Sequence, residues 1–171
     1  MDPARLEHLN SLTAEDAAIE LLKCCGSRAW AERMVAERPF ESLSDLSAKG
    51  DRVWSSLEPD DWLEAFHSHP KIGEQKAAAP TAREARQWSA DEQSGMRDSS
   101  QRTVDELAKL NREYDEKFGF IFIICASGKS SAEMLEHLRE RINNSPAVEL
   151  RNAAAEQAKI TNLRLEKLVT S

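Results

Sequence analysis

A histidine-proline pair, His69-Pro70, follows a segment that carries Trp62, Leu63, Ala65 and Phe66. Proline lacks a backbone N–H, so a helix over that segment must end before Pro70, and the His69 imidazole falls at its exit. There the negative end of the helix dipole favours the imidazolium form. Such a placement suits a proton donor. The plainer alternative is that His67 and His69 are surface residues beside a helix end. His-x-His together with Glu74 also admits a metal reading, but the chain lacks the further spaced ligands that a closed zinc site needs.

A second candidate lies further along. Ser89 and Glu92 have the Ser-x-x-Glu spacing of a capping box, which is sufficient reason for both residues. The same helix start would also offer N–H groups and a hydroxyl to an anionic or carbonyl-rich ligand, with Glu92 one turn inside to exchange a proton. Arg164 stands between Leu163 and Leu165. An arginine in such a stretch usually snorkels to solvent, whereas a buried one would need an anion. Cys125 sits in an apolar run and reads as core, and His8 and His137 read as solvated.

The elements that must position these residues are almost all helices. Thr13 with Asp16 predicts a helix over residues 14–25, with Gly26 as a left-handed stop. Ser27 caps a segment over 28–37, bounded by Pro39, and a serine-rich start at Ser42 or Ser44 opens another to about residue 57. Pro59, Asp60 and Asp61 begin the helix that Pro70 ends. Residues 70–88 read as a loop long enough to act as a lid. From Ser89 an amphipathic helix of nearly thirty residues is predicted, with Val104, Leu107, Leu110, Tyr114 and Phe118 on one face and a stop at Gly119. Residues 120–126 have the composition of a buried strand, yet no other segment alternates like a partner, and a lone strand cannot satisfy its own backbone. A short extended or helical crossing through the core is therefore expected. Ser130 with Glu133 opens a helix to about residue 143, and Ser145-Pro146 opens the last one. The reading is an all-α, single-domain, bundle-like fold over residues 1–171, with about seven or eight helices and one short extended apolar segment.

Composition agrees. Twenty-three Lys and Arg against thirty Asp and Glu give a net charge of −7, which provides no net positive field for nucleic acid or anionic lipid. Apolar residues are 40% of the 171 and charged ones 31%, as in an ordered water-soluble globule. No apolar run approaches the roughly 20 residues that span a bilayer, and the start lacks the apolar centre of a secretory signal, so a cytoplasmic address is expected. Cys24, Cys25 and Cys125 form no even framework and no Cys-x-x-Cys pair, and reduced, packed thiols are expected.

Six motifs in order carry a resemblance. They are Leu9-Asn10; Arg38-Pro39-Phe40; Trp62-Leu63-Glu64-Ala65-Phe66 leading into His69-Pro70-Lys71-Ile72-Gly73-Glu74; Trp88-Ser89 with Glu92-Gln93-Ser94-Gly95-Met96; Leu110-Asn111-Arg112-Glu113-Tyr114 followed by Lys117-Phe118-Gly119-Phe120; and Arg164-Leu165. With these the chain resembles the 2-oxo-4-hydroxy-4-carboxy-5-ureidoimidazoline (OHCU) decarboxylase family of uric acid degradation. The resemblance implies an all-helical homodimer, free of cofactor and metal, that converts a small molecule, OHCU, to (S)-allantoin and carbon dioxide. It implies His69 as catalytic proton donor and Glu92 as the essential carboxylate. It implies substrate binding by Pro70, Ser89 and Gln93, by the backbone of Phe120, Ile121, Phe122, Ile123 and Ile124, and by Arg164, with Arg151 as the fallback arginine. Eukaryotic members often end in a peroxisomal Ser-Lys-Leu signal, whereas this chain ends Val169-Thr170-Ser171, which fits a bacterial cytoplasmic form. Two alternatives stand beside this reading: a metal-dependent ureide hydrolase using His67, His69 and Glu74, and a catalytically inactive helical binding protein of the same fold.

Overall fold

The computed structural model describes residues 3–70, Trp88 and residues 100–171, and these contain eight helices and no strand. They are α1 (Pro3–Ser11), α2 (Ala14–Cys24), α3 (Arg28–Ala36), α4 (Leu43–Ser55), α5 (Pro59–His67), α6 (Gln101–Phe118), α7 (Ser131–Arg141) and α8 (Pro146–Thr170). The chain divides into two compact units, Met1–Ala65 with Ala158–Ser171, and Phe66–Gln157.

In the first unit the predicted caps form. The Thr13 hydroxyl accepts from the Asp16 N–H at 3.1 Å, and Ser27 and Ser42 accept from Trp30 and Asp45 at 3.3 and 3.0 Å. One stop differs from expectation. Helix α2 ends with Cys25 in an extended conformation, and the positive-φ glycines among the described residues are Gly119 and Gly128, so Gly26 is not a left-handed stop. Helix α1 is a further element that the sequence signals missed, and of its described side chains only Leu6 and Leu9 are buried.

Two of the six motifs prove to be one structural joint. Asn10 Nδ2 donates to the Phe40 carbonyl at 2.9 Å, and the Phe40 N–H donates to Asn10 Oδ1 at 2.8 Å. Arg38 Nη1 reaches the carbonyls of Leu9 and Leu12 at 3.1 and 2.8 Å, closing the exposed carbonyl end of α1. In the same unit Leu21, Trp30, Met34, Leu46 and Leu165 are fully buried. The Trp30 indole N–H donates to the Gly50 carbonyl at 3.1 Å.

In the second unit α6 is an 18-residue helix capped by Ser100, whose φ of −65° and ψ of 146° are extended. The expected helix of nearly thirty residues from Ser89 is therefore overturned: its regular part begins at Gln101, where Ser100 breaks the helical backbone and receives the Thr103 N–H. The predicted box of Ser89 and Glu92 lies outside the described residues. Gly119 ends α6 with φ at 78°, in the left-handed region that favours glycine. Ser130 and Glu133 form the predicted capping box at the start of α7.

Candidate functional site

The question raised by residues 120–126 was how an apolar segment without a partner strand satisfies its backbone. The structure answers with side chains. The segment is an irregular crossing in which Phe120, Phe122, Ile123, Ile124, Cys125 and Ala126 are buried and Ile121 is half-buried. Three of its carbonyls are taken up by cations and a turn. Arg141 Nη1 donates to Ile123 O at 2.6 Å, Lys129 Nζ donates to Cys125 O at 2.9 Å, and the Lys129 N–H donates to Ala126 O at 3.0 Å. The backbone N–H groups of residues 120–124 have no acceptor among the described residues. Buried amides without an acceptor are rare, and they mark a place where a ligand's oxygens can be received.

Aromatic rings and a buried ion pair hold the crossing in place. Phe120 packs on Phe66 at 5.3 Å between ring centroids, and Tyr114 meets Phe120 and Phe122 edge-on at 5.8 and 5.5 Å. The Arg141 guanidinium lies 4.6 Å from the centre of the Phe122 ring. It pairs with Glu149, which has no exposed surface and accepts from Arg141, Tyr114, Asn144 and Asn152. Burial alone would raise the Glu149 carboxyl, but these hydrogen bonds outweigh it and hold the group below the usual carboxylate range. The same burial, with Glu149 beside it, pushes the Tyr114 phenol well above its ordinary range. Sequence reasoning missed Arg141, Glu149 and Lys129, although a charged pair eight residues apart across the Asn144-Ser145-Pro146 turn was there to be noticed.

His69 stands just past the end of α5, half-buried, with its N–H bonded to the Phe66 carbonyl at 3.2 Å. Its Nε2 lies 2.5 Å from Oε1 of Gln157, a fully buried residue of α8. Pro70 follows it, also half-buried. His67 is exposed and its Nε2 donates to the Gly119 carbonyl at 3.4 Å. Among the described residues no group of three or more His, Cys, Asp or Glu is arranged to hold a metal ion. Glu74, and the loop of residues 71–87 whose length would suit a lid, lie outside the described residues, as do Ser89, Glu92 and Gln93.

Arg164 belongs to the first unit and is 5% exposed, so it does not snorkel, whereas Arg151, the fallback, is exposed. The positive charge of Arg164 acts on the neighbouring thiols. Burial pushes Cys25 up to about 11, against the pull of hydrogen bonds from Ser27 and Thr161 and of the arginine. Cys24 is driven further up by the same desolvation. All three cysteines are free and buried, as their spacing predicts.

Taken together, the second unit holds a half-buried imidazole bound to a buried amide, and an apolar crossing whose N–H groups at residues 120–124 have no acceptor among the described residues. Comparison with known proteins sharpens this. A family model described as OHCU decarboxylase matches residues 10–166. The uric acid degradation bifunctional protein TTL of Arabidopsis thaliana is 43% identical over 145 residues, which are 85% of this chain and 45% of that protein. The 2-oxo-4-hydroxy-4-carboxy-5-ureidoimidazoline decarboxylase of Amia calva is 32% identical over 134 residues, 77% of this chain and 75% of that one. A crystal structure of OHCU decarboxylase in the presence of (S)-allantoin shares 41% identity and a TM-score of 0.76, covering 90% of this chain and 99% of that chain. The chain belongs to the OHCU decarboxylase family. It spans less than half the length of the bifunctional relatives it matches, 45% of the Arabidopsis protein and 33% of the one from Bacillus subtilis. Among the described residues no helix is long and apolar enough to cross a membrane.

Proposed function

We propose that this chain decarboxylates OHCU to (S)-allantoin in uric acid degradation, with residues 1–171 acting as one domain. The observation that carries the reading is that one unit contains both an apolar crossing whose N–H groups have no acceptor among the described residues and a half-buried histidine at a helix exit. The family model, unbroken across residues 10–166, supports the single domain.

The chemistry needs little beyond what these groups offer. When the carbon–carboxylate bond breaks, carbon dioxide leaves and the heterocycle takes up the electron pair as an enol-type intermediate, so the substrate is its own electron sink and no cofactor is required. The protein orients the ring, stabilises the developing negative charge and adds one proton to one face. His69 as imidazolium gives that proton to carbon and is left neutral, and solvent restores it. Glu92 orients the substrate's hydroxyl or ureido groups, with Ser89 and Gln93 beside it and Pro70 against the ring. The N–H groups of residues 120–124 receive the substrate's oxygens, and the family likeness adds Arg164 to the substrate-binding residues. The homodimer rests on the family likeness, and sedimentation tests it; the cytoplasmic address rests on the likeness and the acidic composition, and cell fractionation tests it.

The test uses the handedness of the product, because OHCU decays unaided to racemic allantoin. Freshly made OHCU is given to the protein and to a His69→Ala variant, and circular dichroism follows the allantoin formed. A positioned acid is worth about 10²- to 10⁴-fold, and the variant is expected to lose at least that range's lower end and with it the S excess. An unchanged rate of (S)-allantoin formation refutes the role given to His69.

A further inference from the structure

We infer that Gln157 is a positioning residue that fixes the tautomer of His69, so that the proton given to the substrate is carried on Nδ1. The inference rests on the reading of His69 as proton donor. Gln157 Oε1 is 2.5 Å from His69 Nε2. An amide oxygen carries lone pairs and no proton, so the ring nitrogen must supply the hydrogen. Nε2 therefore stays protonated in the neutral ring as well as in the imidazolium, and the proton that comes and goes is the one on Nδ1.

The acceptor is well placed to enforce this. Gln157 has no exposed surface, and Ala153 and Ala154, one turn earlier on α8, are buried with it. An amide on a packed helix face cannot turn to solvent without losing its hydrogen bonds inside. Glutamine is also uncharged. A carboxylate at this place would hold the proton on the ring by its charge, whereas the amide orients the ring without adding a charge that opposes loss of the Nδ1 proton. In the step, the Nδ1–H bond breaks as the C–H bond forms on the enol-type intermediate. The ring is left neutral, with Nε2–H still donating to Gln157.

The test reads the ring itself. In the ¹⁵N-labelled full chain, His69 is assigned by its disappearance in His69→Asn, and long-range ¹H–¹⁵N correlations report which nitrogen is protonated in the neutral ring. The expected result is protonated Nε2 and bare Nδ1 in the unmodified protein, and a mixture of tautomers in Gln157→Leu. In Gln157→Leu, kcat for (S)-allantoin is expected to fall about 10- to 100-fold, the scale of a misoriented group, with KM within about threefold. Gln157→Glu, which keeps an acceptor oxygen, is expected to keep the tautomer. A neutral ring protonated on Nδ1 in the unmodified protein overturns the inference, and that spectrum needs no variant to fold. An unchanged kcat in folded Gln157→Leu overturns it as well. Loss of activity in His69→Asn alongside an Nδ1–H tautomer leaves the proton-donor reading standing and removes only Gln157. Full S-selective activity in His69→Asn removes both.

Discussion

Replacing Glu149 by glutamine removes one charge and almost no volume, and it tests whether the polar network under the crossing holds the second unit together. The carboxylate accepts from Tyr114 Oη at 2.5 Å, Arg141 Nε at 3.0 Å, Asn144 Nδ2 at 3.0 Å and Asn152 Nδ2 at 2.9 Å, and Arg141 Nη2 stands in ion-pair range at 2.9 Å. Glutamine turns one acceptor oxygen into a donor, which then faces other donors, and it leaves the Arg141 side chain, 11% exposed, without its counter-charge. A hydrogen bond to a charged group is worth about 1.5–3 kcal/mol, but these share one carboxylate and do not add. The better bound is the removal of one partner from a buried ion pair, about 3–5 kcal/mol. For a chain of this size that is a fall in Tm of about 6–20 °C. The sign of the pH dependence follows from the depressed carboxyl. Its stabilisation is full above the unfolded value, near 4.3, and is lost as pH falls through the lower folded value. The gap between the two proteins is therefore widest at neutral pH and narrows below about pH 4. Urea unfolding followed by far-ultraviolet circular dichroism across that range measures it. A loss under about 1 kcal/mol, or a gap that does not change with acid, refutes the argument.

Two further outcomes follow from the first unit. Gly50→Ala is expected to stabilise the protein by about 0.5–1 kcal/mol, because a Cβ there would meet Leu165 Cδ1 at 3.4 Å, an ordinary contact, while α4 gains a better helix former; a lower Tm refutes it. Cys25, raised to about 11, and Cys24, raised further, are expected not to react with a chromogenic disulfide reagent at mildly alkaline pH until denaturant is added; prompt labelling of either thiol in the folded protein refutes their assignment to the core.

The helices were readable because their punctuation is local. Thr13, Ser27, Ser42, Ser130 and Gly119 each act on residues three or four away, and each does in the structure what its neighbours in sequence imply. The misreadings are local too. Gly26 looked like a stop only because glycine often is one, and helix α1 carries too few apolar residues to show a period. His69 was visible as a candidate from Pro70 alone, which sets the helix end, but its partner is 88 residues away and no spacing rule reaches that far.

The least readable part is the support of the crossing. Sequence showed an apolar segment with no partner strand and posed the problem of its backbone; it could not show that the solution lies in Arg141 and Lys129, because charged residues in and beside helix α7 look solvated until the fold buries them. A β-partner would have paired both the carbonyls and the N–H groups of residues 120–126. Two cationic side chains can pair only carbonyls, since neither accepts a hydrogen bond. Holding the crossing by Arg141 and Lys129 thus secures its path while leaving the N–H groups of residues 120–124 without an acceptor among the described residues, which a sheet would not allow. The same choice requires a buried counter-charge, and Glu149 supplies it from the first turn of α8, the helix that also brings Gln157 to His69. Several residues of the motifs that carry the family resemblance have structural roles of this kind. Tyr114 holds Glu149, Lys117 closes the carbonyl of Ile142 at 2.6 Å, and Asn10 and Arg38 join α1 to the turn at Phe40.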